Sequence, residues 1–249
     1  MRSFLLMTLL LCGVSGLAQE KAKPAAPANK RAFTAAEIID RSIEATGGRA
    51  AMGKLVSTYA KGTMEFTAQE AHGVMEFYAK APNKQLAIMN LESIGEVRQG
   101  FDGQVAWGQD PTGRIIEISG APLEDMKRRA VFNPTLKWRE LYPKAELQGE
   151  DTVGGRKAYV IRLTAVDGTL ITRYYDTGTF LMLREKGSHA TPQGVMDITA
   201  DFSDYRDIGG VKAPFSIRQS LPMGEIVVKI SEMKNNIDID DAKFSKPVK

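Results

Sequence analysis

The sequence predicts an α+β fold, mainly antiparallel β, in which one strongly coiled sheet carries an N-terminal helix and a mid-chain helical insert. Three observations carry that expectation. From Ser57 onward apolar and polar residues alternate, as in YAKGTMEFTA (59–68) and HGVMEFYAK (72–80). A period of two marks antiparallel strands with one dry face and one wet face. Turn signals at Pro82-Asn83, Asp102-Gly103, Pro111-Thr112-Gly113 and Asp167-Gly168 punctuate the alternation at hairpin spacing. The alternation stops between residue 121 and about residue 143, where helix signals replace it.

The chain opens with MRSFLLMTLLLCGVSGLAQE. Arg2 supplies a positive start, Phe4 to Leu11 form an apolar stretch too short to span a bilayer, and Gly16-Leu17-Ala18 offers small residues for cleavage. Residues 1–18 are therefore expected to be a secretory signal peptide. The one cysteine of the chain, Cys12, falls inside it. Leu11 stands where lipidation requires a small residue, so a lipid-anchored form is not expected. The processed chain would have no thiol, hence no disulfide, no Cys-ligated metal and no thiol nucleophile. Residues 19–32, QEKAKPAAPANKRA, lack an apolar period and read as a flexible Ala/Pro/Lys-rich tether. Residues 33–249 form the folded domain.

Thr34-Ala35-Ala36-Glu37 is a capping box, with Ile38, Ile39, Ile43 and Met52 as the apolar face behind it. Gly47-Gly48 is suited to end that helix, because glycine takes positive φ freely. A short second helix is expected over 49–55. Strands follow over 59–68, 72–80, 84–91, 95–101, 104–109 and 114–119. Pro122 near the start of the insert sits where its missing N–H costs nothing, and Asn133-Pro134 starts another short helix. Strands resume over 146–151, 156–166, 169–176, 179–187, 194–205, 211–220 and 224–234. These thirteen candidate segments are expected to make about ten or eleven separate strands, with ends placed to within two to four residues. A sheet that long coils into a sandwich or an open barrel.

The net charge is +3, or +2 without Arg2, with basic and acidic residues interspersed. That distribution does not indicate a nucleic-acid surface. No run of about 18 apolar residues follows the signal, so no transmembrane helix is expected.

Each candidate for chemistry has a simpler explanation. Asp102 beside Gly103 reads as a turn, and Asp176 in YYDTGTFLML repeats the motif in the second half. His72 and His189 read as solvated residues near turns, and no zinc-binding spacing exists. Neither G-x-S-x-G nor a glycine-rich nucleotide loop occurs. Asp238, Asp240 and Asp241 lack the glycine and glutamate of a calcium loop. No catalytic residue, metal or cofactor is expected, and the protein is read as a non-enzyme. What remains is apolar: Met64, Phe66, Met75, Phe77, Leu86, Ile88 and Trp107 on dry faces. They suit either a packed core or a cavity for hydrocarbon, since Met adapts its shape.

Several stretches resemble the LolA/LolB superfamily of periplasmic lipoprotein carriers, and more closely the proteins described as outer membrane lipoprotein-sorting proteins. They are EATGGRAAMGKLVSTYAKGTME, YAKAPNKQLAIM, GFDGQVAW, YYDTGTFLMLRE, DYRDIGGVKAPFSI and NNIDIDDAKFSKP. Their order and spacing, over nearly all of 34–247, carry the likeness. The resemblance implies an unclosed β-barrel whose helices form a lid over an apolar cavity. It implies a monomeric periplasmic carrier of lipoprotein acyl chains or lipid, working towards the outer membrane with an envelope membrane or transporter as partner, and not with nucleic acid. The seven apolar residues above would line the acyl cavity. Met126, Val131 and Trp138 would belong to the lid. In this superfamily an arginine ties barrel to lid; Arg98, on a strand, is the candidate here. Two other readings stay open: an envelope interaction or assembly module with a filled core, and a carboxylate hydrolase. An apolar cavity without unpaired acids would favour the carrier. A cavity plugged by Trp107 and Phe side chains would favour the module, and two converging acids the hydrolase.

Overall fold

The computed structural model describes residues 33–248. The expected signal peptide, its cleavage site after Ala18, Cys12 and the tether over 19–32 lie outside the described residues. Thr34 caps helix α1 (Ala35–Thr46). Its hydroxyl accepts from the Glu37 amide at 3.2 Å, and its own amide donates to Glu37 at 2.8 Å. Gly47, at φ 138°, ends α1 and turns the chain into α2 (Gly48–Met52). A Cβ at Gly47 would stand 2.2 Å from the Gly210 carbonyl oxygen, so the position demands glycine twice over, for conformation and for space.

Six strands follow: β1 (Ser57–Phe66), β2 (Ala71–Lys80), β3 (Lys84–Leu91), β4 (Gly95–Phe101), β5 (Ala106–Gln109) and β6 (Ile115–Ile118). The insert contributes α3 (Ala121–Arg129) and α4 (Trp138–Leu141). Seven more strands complete the sheet: β7 (Lys144–Val153), β8 (Arg156–Thr164), β9 (Leu170–Asp176), β10 (Met182–Thr191), β11 (Gly194–Asp207), β12 (Lys212–Leu221) and β13 (Gly224–Asn235). The sheet thus has thirteen strands rather than ten or eleven. Each of the thirteen segments read from the sequence forms a strand of its own, including the short β5 and β6 of four residues each, so none of them merges with a neighbour.

The order is β6-β5-β4-β3-β2-β1-β13-β12-β11-β10-β9-β8-β7, antiparallel throughout. Each half is a meander between sequence neighbours. The halves join at one seam, where β1 pairs with β13 from Thr58↔Asn235 to Phe66↔Ile226. The free edges are β6 and β7. Edge β6 is short, and β7 carries a bulge at Leu147/Gly149, both of which discourage pairing with another chain.

The sheet curls. Pro192 and Gln193, in the turn between β10 and β11, line the same cavity as Val97 on β4 and Gly108 on β5. In a flat sheet those strands would lie about 30 Å apart, at about 4.8 Å per strand. The inner face of the curl carries the helices. Helix α1 buries Ile38, Ile39 and Ile43 against Ile161, Leu163, Ile171 and Tyr175, with Trp138 and Tyr142 completing the cluster. Helix α3 buries Met126 and Ala130 on Phe101, Ala106 and Ile118. On the outer face, Ile239 and Phe244 of the C-terminal segment cover Leu86 and Trp107.

Candidate functional site

Between the α1 and α3 clusters, part of the inner face carries no helix. Here β1, β2 and β3 meet β12 and β13 around a cavity of about 440 Å³. Register explains the composition. Cross-strand partners share a face, so Ala60↔Met233, Gly62↔Ile230 and Met64↔Val228 put the seam's apolar residues inside. Phe77↔Ala87 and Met75↔Met89 extend the surface to β3, and Ile217↔Val228 extends it to β12. Thr58 and Gln219 are the polar residues of the lining, and no charged side chain belongs to it. The Thr58 hydroxyl is occupied, donating to Asn235 Oδ1 at 3.0 Å.

Of the seven residues read from the sequence as cavity-lining, Met64, Met75 and Phe77 come together here. Phe66 lies on the same face at the end of the seam, beside Gly224. Leu86, Ile88 and Trp107 do not reach the cavity. They are on the outer face, packed beneath Ile237, Ile239 and Phe244. Both faces of β2–β5 are dry in places, one under the cavity and one under the C-terminal segment, so alternation could not tell which apolar phase points inward. Contributors that sequence reasoning missed are Met89, Ile217, Val228, Ile230 and Met233. The alternation in KAPFSIRQSL and EIVVKISEM was visible, but the β1–β13 pairing that places these strands was not.

None of the proposed lid residues lines this cavity. Met126 is buried on β4–β6, Trp138 belongs to the α1 cluster, and Val131 is half-buried in the loop after α3. The insert packs onto the sheet instead of roofing the cavity, because its apolar positions match the ends of β4–β6 and the α1 surface. Arg98 is also misplaced by the sequence reading. It lies opposite Ile88 on the outer face and bonds Glu96 at 2.7 Å. The arginine that ties insert to sheet is Arg128 of α3. It pairs with Asp125 on its own helix and reaches Asp167 and Thr169 in the β8–β9 turn.

Asp125 is 3% exposed and also pairs with Arg129 at 2.6 Å, while His189 Nδ1 lies 3.5 Å away. Burial alone would raise the Asp125 pKa, but the His189 and Arg129 interactions outweigh it and hold the carboxyl below its ordinary value of 3.8. His189 is therefore a half-buried partner of α3, not the solvated residue its sequence suggested; His72 is exposed. Farther along the inner face Arg173 is buried against Glu185 at 2.7 Å, with the Tyr142 ring 5.2 Å from its guanidinium. Burial favours the neutral guanidine, yet the charge of Glu185 more than offsets it. The buried acids are thus matched to bases, and none converges on the cavity.

The turn aspartates are structural. Asp102 Oδ1 accepts from the amides of Gln104 at 2.8 Å and Val105 at 2.7 Å. Asp176 Oδ1 accepts from the amides of Gly178 at 3.1 Å and Thr179 at 2.6 Å, an equivalent turn in the other half. Asp240 caps the 3-10 turn over Asp241–Phe244, and Asp241 is held down to about 2 by hydrogen bonds from Lys80 and Lys84. Among the described residues no group of three or more His, Cys, Asp or Glu side chains could hold a metal ion. No described helix is long and apolar enough to cross a membrane.

No protein-family model matches the chain, and no curated protein matches it in sequence. Solved structures do share its fold. A LolA superfamily protein from Nitrosomonas europaea aligns with a TM-score of 0.57 and 17% identity, over 86% of this chain and 99% of that one. A DUF1329 family protein from Desulfovibrio piger aligns with a TM-score of 0.57 and 16% identity, over 85% and 97%. A third, provisionally described as an outer membrane lipoprotein-sorting protein domain, comes from Vibrio parahaemolyticus; its TM-score is 0.54 at 12% identity, over 83% and 97%. The chain therefore shares the fold of these structures; here it is an unclosed, thirteen-stranded antiparallel sheet with an N-terminal helix and a mid-chain insert.

Proposed function

We propose that this protein is a periplasmic carrier that binds the acyl chains of a lipoprotein or lipid and conveys them towards the outer membrane. The observation that carries the reading is the 440 Å³ inner-face cavity, whose lining is apolar apart from Thr58 and Gln219. An acyl chain exposed to water costs about 0.8 kcal/mol per methylene, so a soluble shuttle must offer matching apolar area. Met64, Met75, Met89 and Met233 give the lining side chains that adjust to variable hydrocarbon. The signal peptide read from residues 1–18 and the shared fold support an envelope role. The fold alone does not name a cargo.

Exchange of the cargo does not require α1, α3 or α4 to move, because none of them lines the cavity. A membrane or partner protein would shift the equilibrium by binding the empty and loaded forms unequally. The competing hydrolase reading is disfavoured by the pairing of Asp125 and Glu185 with arginines away from the cavity.

The test is native mass spectrometry of the processed protein, purified gently from an envelope fraction, followed by lipid extraction. A lipid or acylated peptide at fixed stoichiometry is the expected result. An empty protein that also fails to bind a fluorescent fatty acid would leave the interaction module as the better reading.

A further inference from the structure

The acyl-binding reading leaves open how many chains the protein holds, and the cavity dimensions bear on that. A second space of about 280 Å³ lies along β3–β6, with Val97, Ile116 and Ile118 on one side, Pro192 and Gln193 on the other, and the charged residues Arg98, Asp110 and Arg114 also in its lining. Met89 lines both, which places it where the two spaces meet.

A water-sized group occupies about 30 Å³ of a liquid, and a methylene is of similar size. The 440 Å³ chamber therefore accommodates about fifteen methylenes, and the 280 Å³ space about nine. Two sixteen-carbon chains need about 1,000 Å³ and three need about 1,400 Å³ on the same scale. Both exceed the two spaces together, and because each is partly open, further chains would lie with much of their length in water. One chain of fourteen to eighteen carbons fits, filling the larger chamber and extending past Met89 if long.

The lining also says which part of the ligand enters. The larger chamber carries no charge, and its Thr58 hydroxyl is already engaged with Asn235; the charged residues of the lining, Arg98, Asp110 and Arg114, belong to the smaller space. An ionic headgroup buried in the larger chamber would have no partner, which is strongly unfavourable. The headgroup must stay outside the larger chamber, in water or beside the charged residues of the smaller space, so the larger chamber selects for the tail.

Resting on the acyl-site reading, we propose that the ligand is a single-chain amphiphile, one per protein. Free fatty acids and lysolipids share this chemistry. The flexible Met89 side chain sets how far the chain runs.

The experiment is a binding comparison on processed, delipidated protein, read by native mass spectrometry and by displacement of a fluorescent fatty acid. The probes are palmitic acid, a palmitoyl lysophospholipid, a dipalmitoyl phospholipid and a triacylated lipopeptide. The expected result is 1:1 binding of one or both single-chain probes, with the diacyl and triacyl probes at least tenfold weaker. Binding of palmitic acid alone assigns a free fatty acid; preference for the lysophospholipid assigns a lysolipid. Equal or tighter binding of the diacyl or triacyl probe, or two palmitates per protein, overturns the single-chain proposal and leaves the carrier reading standing. Failure of all four overturns both. A Met89→Trp variant adds a second test. It should lose affinity for an eighteen-carbon acid about tenfold while keeping that for a twelve-carbon acid. Equal loss for both would remove Met89 from the meeting of the two spaces.

Discussion

The indole N–H of Trp107 donates to the backbone carbonyl of Phe244 at 2.8 Å, across 137 positions of sequence, with both side chains fully buried. That bond fastens the C-terminal segment to the outer face of β5. Lys80 and Lys84 hold the same segment through Asp241 at 2.8 and 2.7 Å, and Lys246 reaches Glu117 on edge strand β6 at 2.7 Å. Trp107 thus serves stability on the face away from the cavity.

A Trp107→Phe substitution should separate the two faces. It leaves the Phe244 carbonyl without its donor, at a cost of about 1–3 kcal/mol. Urea unfolding should register that loss, while fatty-acid affinity stays unchanged. A matching drop in affinity would contradict the outer-face placement.

Gly100 lies directly beneath the Trp107 ring. A Cβ there would stand 2.4 Å from the indole, so Gly100→Ala forces the ring out of its slot. Overpacking of this kind costs about 1–3 kcal/mol. Combined with Trp107→Ala the same change should cost much less, because the obstacle is gone. Additive costs in the double-mutant cycle would show that the strain arises elsewhere.

Phe77 borders the cavity and packs with Ala60, Phe215 and Ile230. Phe77→Asp places a carboxylate where no partner exists, and acyl binding should be abolished. Circular dichroism establishes whether the variant is folded. A folded Phe77→Asp protein with unimpaired lipid binding would remove the cavity from consideration.

The Asp125 cluster predicts an acid limit. Its folded pKa lies below the ordinary 3.8, so its contribution is complete above that value and fades as pH falls through the lower folded value. Asp125→Asn should destabilise the protein at neutral pH by on the order of 3 kcal/mol, since Arg128 and Arg129 lose a buried partner. The variant should also show a flatter fall in stability below about pH 4. Parallel pH profiles for wild type and variant would assign the acid sensitivity to another carboxylate.

Local signals in the sequence were reliable where one residue type dictates one geometry. The Thr34–Glu37 box, the Asp102-Gly103 turn and the strand-by-strand alternation all describe short-range physics. The placement of side chains in space was not equally legible. Phe77 and Trp107 look alike in sequence, each apolar on an alternating strand. One faces the cavity and the other faces Phe244, and the difference depends on where a segment more than 130 residues away docks. Likewise Arg128 and His189 carry no local mark of burial; their meeting at Asp125 follows from the docking of α3 on β10.

The seam between β1 and β13 bears on the order of folding. The two meanders can form from contacts between neighbours in sequence, but the seam must wait for the last strand to find the first. Such long-range closure is slow relative to local pairing. The inner-face cavity straddles the seam, taking Met64 and Met75 from one half and Val228 and Ile217 from the other. A chain that has not closed therefore owns no chamber. Hydrocarbon that binds only the closed form would add to its stability by mass action. Bound hydrocarbon would act as a late fastener on the newly made chain, and saturable acyl binding would report that the final strand has arrived.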